Sequence, residues 1–589
     1  MERFAKLAVQ ALNQVLEKPI DTADLEVPKD PKLGDFAFPC FKLAKEFRKA
    51  PAQVATQMVA DLHAKQALPA GIEVSATGPY VNFLAPQKEV MQGLLGDILA
   101  GPGNGTYGKL AANTRGSWVI EYSSPNVAKP FQVYHFRPTG LGAALDRVGR
   151  FRGFKVTSIN HLGDWGTQYG KLSVAFKLYG ADLPADPSIN DLVGIYVKFH
   201  TAVETNPALE DEARAAFRRL EQDDPEMIAL WKKCVEISMK EFNKLYARLN
   251  VKFDHVWGES HYKAMLAPLM AELRKKDLLI QSEGAWIVPV TDADGKELPP
   301  CIVEKSDGGS IYATRDLAAA IYRHEQFHFD RMTYVVGGEQ KLHFQQVFAV
   351  LRKMGFDWAS KCEHVPTGLY RFKDAKMSTR KGNFVTFDEV LTLAKERVTT
   401  LMSERAAAAA PGTGATYSPS ELEQITEAVA LGAVVFHDLH GDPARDVEFD
   451  VERVVDFEGE TGPYLQYAHT RCVSILRKAA EAGYPAVAFD ESLIPLLKAP
   501  EELALVKVLG QFPLHMERTL TQAKASQLAH FLVDVTQSYG AFYRECHVLG
   551  QSAGGSPELT RGRLMLVEAT RRILAQGLTL IGIPLPEKM

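Results

Sequence analysis

Cysteine is scarce and never clustered. Cys40, Cys234, Cys301, Cys362, Cys472 and Cys546 are scattered over 589 residues, with no C-x-x-C pair. That spacing argues against a structural zinc site and fits a reducing cytoplasm. Long apolar runs are missing too, and none approaches the roughly 20 residues of a membrane-crossing helix, so no membrane role is expected. Nor is one sign of charge in excess: 67 Lys and Arg against 72 Asp and Glu leave a formal net charge of −5. No broad basic field advertises nucleic-acid binding, though local basic and aromatic patches would still serve it. There is no internal repeat. The N-terminus opens charged, and Phe4, Leu7, Ala8, Ala11, Leu12, Val15 and Leu16 recur at helical spacing. A docked amphipathic helix is expected there, not a signal peptide.

The 46% hydrophobic and 24% charged content is that of a soluble globular protein, and the length implies about three to five domains. The first 108 residues read as a separate α+β unit. A turn at Pro31–Ala37 leads to a helical pattern through Phe41, Leu43, Ala44 and Phe47. Gly71–Ser75 and Tyr80–Leu84 then alternate like strands. Gly101-Pro102-Gly103-Asn104-Gly105 is the expected boundary loop. From Trp118-Val119-Ile120-Glu121-Tyr122 the pattern becomes strand, loop, a helix from about Thr139 to Phe151, and a strand at Lys155–Asn160. This is a βαβ unit whose ligand belongs at the carboxyl end of its strands. The pattern resumes at Met332–Val336, with a helix over about 342–354 and a strand near His364-Val365. The stretch 185–300 reads as a mostly helical insertion. Ala406–Ala410 and the following Pro411-Gly412-Thr413-Gly414 are low-complexity and expected to be mobile. Beyond about 455 the chain reads as helical.

Two segments carry phosphate chemistry. Lys376-Met377-Ser378-Thr379-Arg380-Lys381-Gly382-Asn383 packs three cations, a hydroxyl pair and a glycine into eight residues. Its bland alternative is a solvated charge run; its functional one is a glycine-loosened loop carrying positive charge to phosphates. About 250 residues upstream, Ser123-Ser124-Pro125-Asn126-Val127-Ala128-Lys129-Pro130-Phe131-Gln132-Val133-Tyr134-His135 ends with a histidine expected just before a helix start, where anions are favoured. The pair resembles the K-M-S-K-S and H-x-G-H signatures of class I aminoacyl-tRNA synthetases. V-I-E-Y-S-S-P-N-V-A-K-P, N-H-L-G-D-W-G-T-Q-Y-G, Y-A-T-R-D-L-A-A-A, G-G-E-Q-K-L-H-F-Q-Q-V-F and E-G-E-T-G-P-Y-L-Q-Y-A-H-T-R extend the likeness over nearly the whole chain. On these segments it resembles the arginyl-tRNA synthetases.

The resemblance implies a multidomain α/β protein. Its parts would be an N-terminal α+β add-on domain that meets the tRNA elbow (1–108), a Rossmann-type parallel-sheet catalytic domain with the insertion (109–395), a connector (396–455) and a C-terminal α-helical bundle that binds the anticodon (456–589). It implies a cytoplasmic enzyme, expected as a monomer. The substrates would be L-arginine, tRNA(Arg) and ATP with Mg²⁺; no tightly bound cofactor and no dedicated protein metal site is expected. His135, Lys376, Arg380 and Lys381 would be catalytic, the cations stabilising the leaving pyrophosphate. Gln132, Tyr134, Met377 and Ser378 would join His135 and Lys376 around ATP. A guanidinium wants carboxylates and planar acceptors. Tyr312 and Asp316, four apart, share one face of a helix that starts there. Asp316 is the candidate anchor, Glu121 the second carboxylate, with Ser124 nearby and Asn126 and Gln340 toward the α-amino group. For tRNA, Tyr464 and Tyr467 form a base-stacking platform, joined by resemblance by Tyr543 and Met589; Tyr80, Asn82 and Phe83 would meet the elbow. Asp164 and Trp165, in the loop after the second strand, read equally as site residues or as a packed turn.

The chain departs from the family at one motif. Gln132-Val133-Tyr134-His135 keeps only the second histidine of H-x-G-H and replaces the glycine with tyrosine, and Phe136-Arg137-Pro138-Thr139 replaces L-R-S-T. A tyrosine there obstructs the adenine or swings out and stacks. Two other readings therefore stand beside the working ligase: a tRNA-binding paralogue with impaired activation, and, more weakly, another class I synthetase.

Overall fold

The computed structural model describes all residues except 29, 31–32, 102–104, 293, 306–310, 373–384, 409–416 and 551–555. The chain forms two compact units: Met1–Leu110 with Arg397–His440 and Glu452–Met589, and Ala111–Glu396 with Gly441–Val451.

The first unit opens with the helix Glu2–Asn13. β1 (Phe36–Pro39), β2 (Glu73–Thr77) and β3 (Tyr80–Leu84) form an antiparallel sheet in the order β1-β3-β2. The helix Pro51–Ala64 contributes buried Val54, Ala55, Met58 and Leu62. The helical pattern expected through Phe41–Phe47 shortens to a single turn, Ala44–Phe47. The rest is helical: Gly462–Glu481, Pro500–Leu509, Phe512–Gln522, Ser526–Glu545 and Pro557–Ile581. Local chemistry sets these ends. Thr461 caps the first of them by accepting from the Tyr464 N–H. Gly582, at φ +83°, stops the last in a left-handed conformation natural to glycine.

The second unit is built on a five-stranded parallel sheet: β4 (Ser117–Glu121), β5 (Lys155–Asn160), β6 (His255–Val256), β10 (Arg331–Gly337) and β11 (Cys362–Thr367), in the order β11-β10-β4-β5-β6. The chain leaves β4 to one side for β5 and returns to the other side as β10, so the strand order reverses at β4/β10. The carboxyl ends at such a switch point form the ligand crevice of an open α/β sheet. The segment expected to be a helical insertion is helical only over Ile189–Arg248 and Lys263–Lys275. It also supplies β6 to the main sheet and an antiparallel sheet of β7 (Ile280–Ser282), β8 (Ala285–Thr291) and β9 (Glu297–Glu304). The alternation of Trp286, Val288 and Val290 is the signal that reading passed over. β12 (Tyr370–Phe372) pairs in parallel with β13 (Val447–Phe449).

Three helices frame the crevice: α1 (Val133–Phe151), α2 (Tyr312–Phe327) and α3 (Lys341–Lys353). α1 begins six residues before the expected Thr139. Pro138 cannot donate to the Tyr134 carbonyl, yet the helix runs through it, and the Thr139 hydroxyl donates to the His135 carbonyl at 2.6 Å. His135 is thus inside the first turn, not ahead of it. Gly142 lets α1 lie against β4, since a Cβ there would meet Tyr122 Cβ at 2.2 Å.

Candidate active site

The loop after β4 is strained. Ser123 (φ +77°), Ser124 (φ +50°) and Ala128 (φ +60°) are left-handed without being glycine, a cost that clusters at functional sites. The surroundings hold them there: Ser123 Oγ lies in hydrogen-bond contact, 2.8 Å, with both Tyr246 Oη and Thr139 Oγ1, and the Ala128 N–H donates to Ser238 Oγ at 2.9 Å. Asn126 bridges to Gly163, where a Cβ would strike Asn126 Oδ1 at 2.4 Å. Two buried polar atoms at this edge, Ser124 Oγ and Gln132 Oε1, have no partner among the described residues. Unpaired buried polar atoms cost free energy, and a polar ligand at this edge would satisfy them.

His135 is buried, and its Nδ1 accepts from the Gln132 N–H at 3.2 Å. That fixes the neutral tautomer with the proton on Nε2. Burial, reinforced by the Lys129 charge, pushes its pKa down to about 3, so it is a neutral donor at physiological pH. Tyr134 points outward, 42% exposed, with its ring 4.2 Å from that of His135. Lys376, Met377, Ser378, Arg380 and Lys381 lie outside the described residues. The chain just beyond them is docked here: the Val133 N–H donates to the Val385 carbonyl at 3.1 Å, and Gln132 bridges to Thr386.

The carboxylates lie at the switch point. Asp316 accepts from His343 Nε2 of α3 at 2.5 Å and lies 3.8 Å from His161 Nε2, just beyond β5. Burial would raise its pKa, but the His343 hydrogen bond and the charges of His343 and Arg323 hold it below the usual carboxylate range. His343 mirrors this: burial disfavours its cation, yet Asp316 and Glu121 hold its pKa above the usual value. Glu121, at the end of β4, is buried and ion-paired with Arg323 of α2. Its Oε1 has no hydrogen-bond partner among the described residues. Tyr312, at the first turn of α2, is 66% exposed and lies over the Arg315 guanidinium. Gln340, past the end of β10, is exposed. Sequence reading missed Arg323 and His343. The signal was there: Tyr312, Asp316 and Arg323 fall at i, i+4 and i+11 on one helical face, and His343 follows Gln340 by three.

Asp164 and Trp165 resolve as packing. The Asp164 carboxylate accepts the Ser260 N–H and hydroxyl at 2.9 and 2.6 Å, and Trp165 is buried edge-on to Trp231.

In the other unit, Tyr467 and Tyr543 are 36% and 39% exposed, and the Arg471 guanidinium lies 4.8 Å from each ring centre. Tyr464 is half-buried one turn away, and Met589 is half-buried. The elbow expectation needs correcting for two residues. Asn82 and Phe83 are 3% and 2% exposed: they point to opposite faces of β3, the central strand of its sheet, and both faces are covered there. What is accessible there is Phe41, 55% exposed and edge-on to half-exposed Tyr80 at 5.8 Å.

This fold, with its ligand edge between β4 and β10, defines a class I tRNA synthetase. The family described as "tRNA synthetases class I (R), catalytic domain" matches residues 99–451, a DALR anticodon binding domain matches 465–589, and an arginyl tRNA synthetase N terminal domain matches 2–85. Arginine–tRNA ligases of Clostridium kluyveri and Exiguobacterium sibiricum are each 39% identical over 594 residues, covering 100% of this chain and 100% and 99% of theirs. The arginyl-tRNA synthetase structure from Thermus thermophilus superposes with a TM-score of 0.81 at 25% identity, covering 100% of both chains. The chain belongs to the arginyl-tRNA synthetase family.

Proposed function

We propose that the protein activates L-arginine with ATP, releasing pyrophosphate, and transfers the arginyl group from the adenylate to the terminal ribose of tRNA(Arg), releasing AMP. The observation that carries the reading is Asp316. It is a half-buried carboxylate kept ionised at the switch-point crevice, beside a strained loop with two polar atoms that have no partner among the described residues. A pocket for an apolar amino acid has no use for it. In this reading Asp316 and Tyr312 take the guanidinium and the open oxygen of Glu121 shares it, while Ser124, Asn126 and Gln340 hold the amino-acid end. His135 donates from Nε2 to a phosphate without a buried charge to desolvate. Gln132 and Tyr134 border the nucleotide. Lys376, Arg380 and Lys381, with Met377 and Ser378, act on the pyrophosphate with Mg²⁺ held mainly by phosphates and water. The docking of Val385–Thr386 on Gln132–Val133 supports both motifs serving one ligand.

For tRNA we propose that Tyr464, Tyr467 and Tyr543, with Met589, receive anticodon bases, and that Phe41 and Tyr80 replace Asn82 and Phe83 as the stacking surface of the add-on domain. Functional boundaries near 108, 395 and 455, a monomer and a cytoplasmic location complete the reading. Pyrophosphate exchange with each amino acid, with and without tRNA, tests it. Arginine alone should support exchange. Exchange with no amino acid would leave the impaired-paralogue reading, and exchange with another amino acid would overturn the arginine pocket.

A further inference from the structure

Arg323 is fully buried and makes contacts in three directions. Nη1 donates to Glu121 Oε2, Nε donates to Tyr262 Oη at 3.1 Å, and Nη2 lies 3.2 Å from His161 Nδ1. Its guanidinium carbon lies 5.5 Å and 5.8 Å from the ring centres of Tyr262 and Tyr334. An arginine has donors only, so His161 Nδ1 must accept from it. The Trp257 carbonyl, 3.1 Å from the same nitrogen, competes for a proton there. A buried guanidinium loses more by an unmade bond than a backbone carbonyl does. The proton of His161 therefore sits on Nε2, the nitrogen that faces Asp316.

Both candidate carboxylates thus depend on one side chain. Arg323 neutralises Glu121 and binds a single oxygen of it, leaving Oε1 open. Through His161 it also presents an N–H toward Asp316. Without Arg323, Glu121 would lose its counter-charge and its fixed orientation, and His161, beside the Asp316–His343 pair, would be free to take the other tautomer. We infer that Arg323 is a positioning residue of the arginine site: an internal guanidinium that orients Glu121 and sets the His161 tautomer, so that the pocket presents a fixed acceptor pair to the substrate guanidinium. The inference rests on the proposed arginine-binding roles of Asp316 and Glu121.

The test is steady-state pyrophosphate exchange on the full chain, with arginine and ATP varied separately. Arg323→Met should raise the arginine KM by about 30-fold or more, the scale of losing charge-assisted hydrogen bonds. The ATP KM should stay within about twofold, because among the described residues no hydrogen bond, ion pair or ring contact joins Arg323 to His135. Arg323→Lys keeps the charge but not the three-way fork and should fall between. If Arg323→Met does not fold, Arg323→Gln, which keeps a neutral donor near Glu121 but neither the charge nor the fork, carries the test, with the same rise in arginine KM expected. An arginine KM within about threefold of wild type in folded Arg323→Met or Arg323→Gln would overturn the inference, as would equal rises for arginine and ATP. Asp316→Asn is measured alongside. If it leaves the arginine KM unchanged, the parent reading fails; if it raises that KM while the Arg323 variants do not, this inference alone fails.

Discussion

At the sheet switch point the charged groups are covered and paired within the protein: Arg323 on Glu121, fully buried, and His343 on Asp316, half-buried. On the helical unit, Tyr467 and Tyr543 stand more than a third exposed, with Arg471 stacked between them. The contrast follows from what each region is proposed to bind. A free guanidinium is small, planar and always charged. A carboxylate can select it only if held ionised and oriented in a dry site, which takes internal cations. A nucleobase is flat and weakly polar, and aromatic faces read it with little desolvation cost. Substitutions in the first region should therefore act abruptly and selectively on arginine, and those in the second gradually and on tRNA alone.

Asp316→Ala should give the largest effect. It removes the anchor and leaves His343 and any bound guanidinium without their carboxylate, costing about 3–5 kcal/mol. Arginine kcat/KM should fall by about two to three orders of magnitude or more, with the ATP KM nearly unchanged. Steady-state exchange checks this, and near-normal arginine use would remove Asp316 from the site. Lys376→Ala comes next. Its charge counts mostly in the transition state, so kcat should fall by about 10²–10³ while arginine affinity holds. A rise in arginine KM with kcat preserved would give that loop another role.

The tyrosines should act more gently. Tyr467→Ala or Tyr543→Ala should weaken tRNA charging by about 1–3 kcal/mol per lost stack and leave exchange parameters for arginine alone. Filter binding to tRNA with altered anticodon bases checks the assignment: loss that ignores the anticodon sequence would break it. Gln132→His with Tyr134→Gly should then lower the ATP KM modestly. Tyr134 already points outward, so only its residual crowding is relieved, and an unaltered ATP KM would mean the adenine site is complete without the change.

The smallest effect is in pH. Below the raised pKa of His343 its imidazolium occupies Asp316, so arginine binding should release a proton. The arginine KM should fall as pH rises through that value, with a limiting slope of about one decade per unit. The same pairing stabilises the fold below the unfolded histidine value of about 6.5, and that stability is lost as pH rises through the raised folded value. His343→Asn should flatten the KM profile; an unchanged profile would place the titration elsewhere.

Much of this was legible in the sequence where the signal is local. The β4–β5 unit, the helix that starts at Tyr312 and puts Asp316 one turn on, and the helix bearing Tyr464 and Tyr467 all follow from short-range periodicity. What escaped depends on packing across long separations. Arg323 and Glu121 are 202 residues apart, and nothing near either names the other. Asn82 and Phe83 look like surface residues of an alternating strand, but β3 is central and both are covered. The helix expected from about Thr139 starts at Val133 instead and runs through Pro138, packed against β4. Phe41 and Arg471 became visible only beside Tyr80 and between Tyr467 and Tyr543.

The central claim is that one ionised carboxylate, Asp316, selects the guanidinium. Calorimetric binding of arginine and of its neutral isostere citrulline, to the wild type and to Asp316→Asn, tests it most directly. The expected result is that Asp316→Asn loses about 100-fold or more in arginine affinity, the scale of a broken charge pair, while its affinity for citrulline changes little. Arginine affinity preserved in a folded Asp316→Asn protein, or equal losses for both ligands, would contradict it.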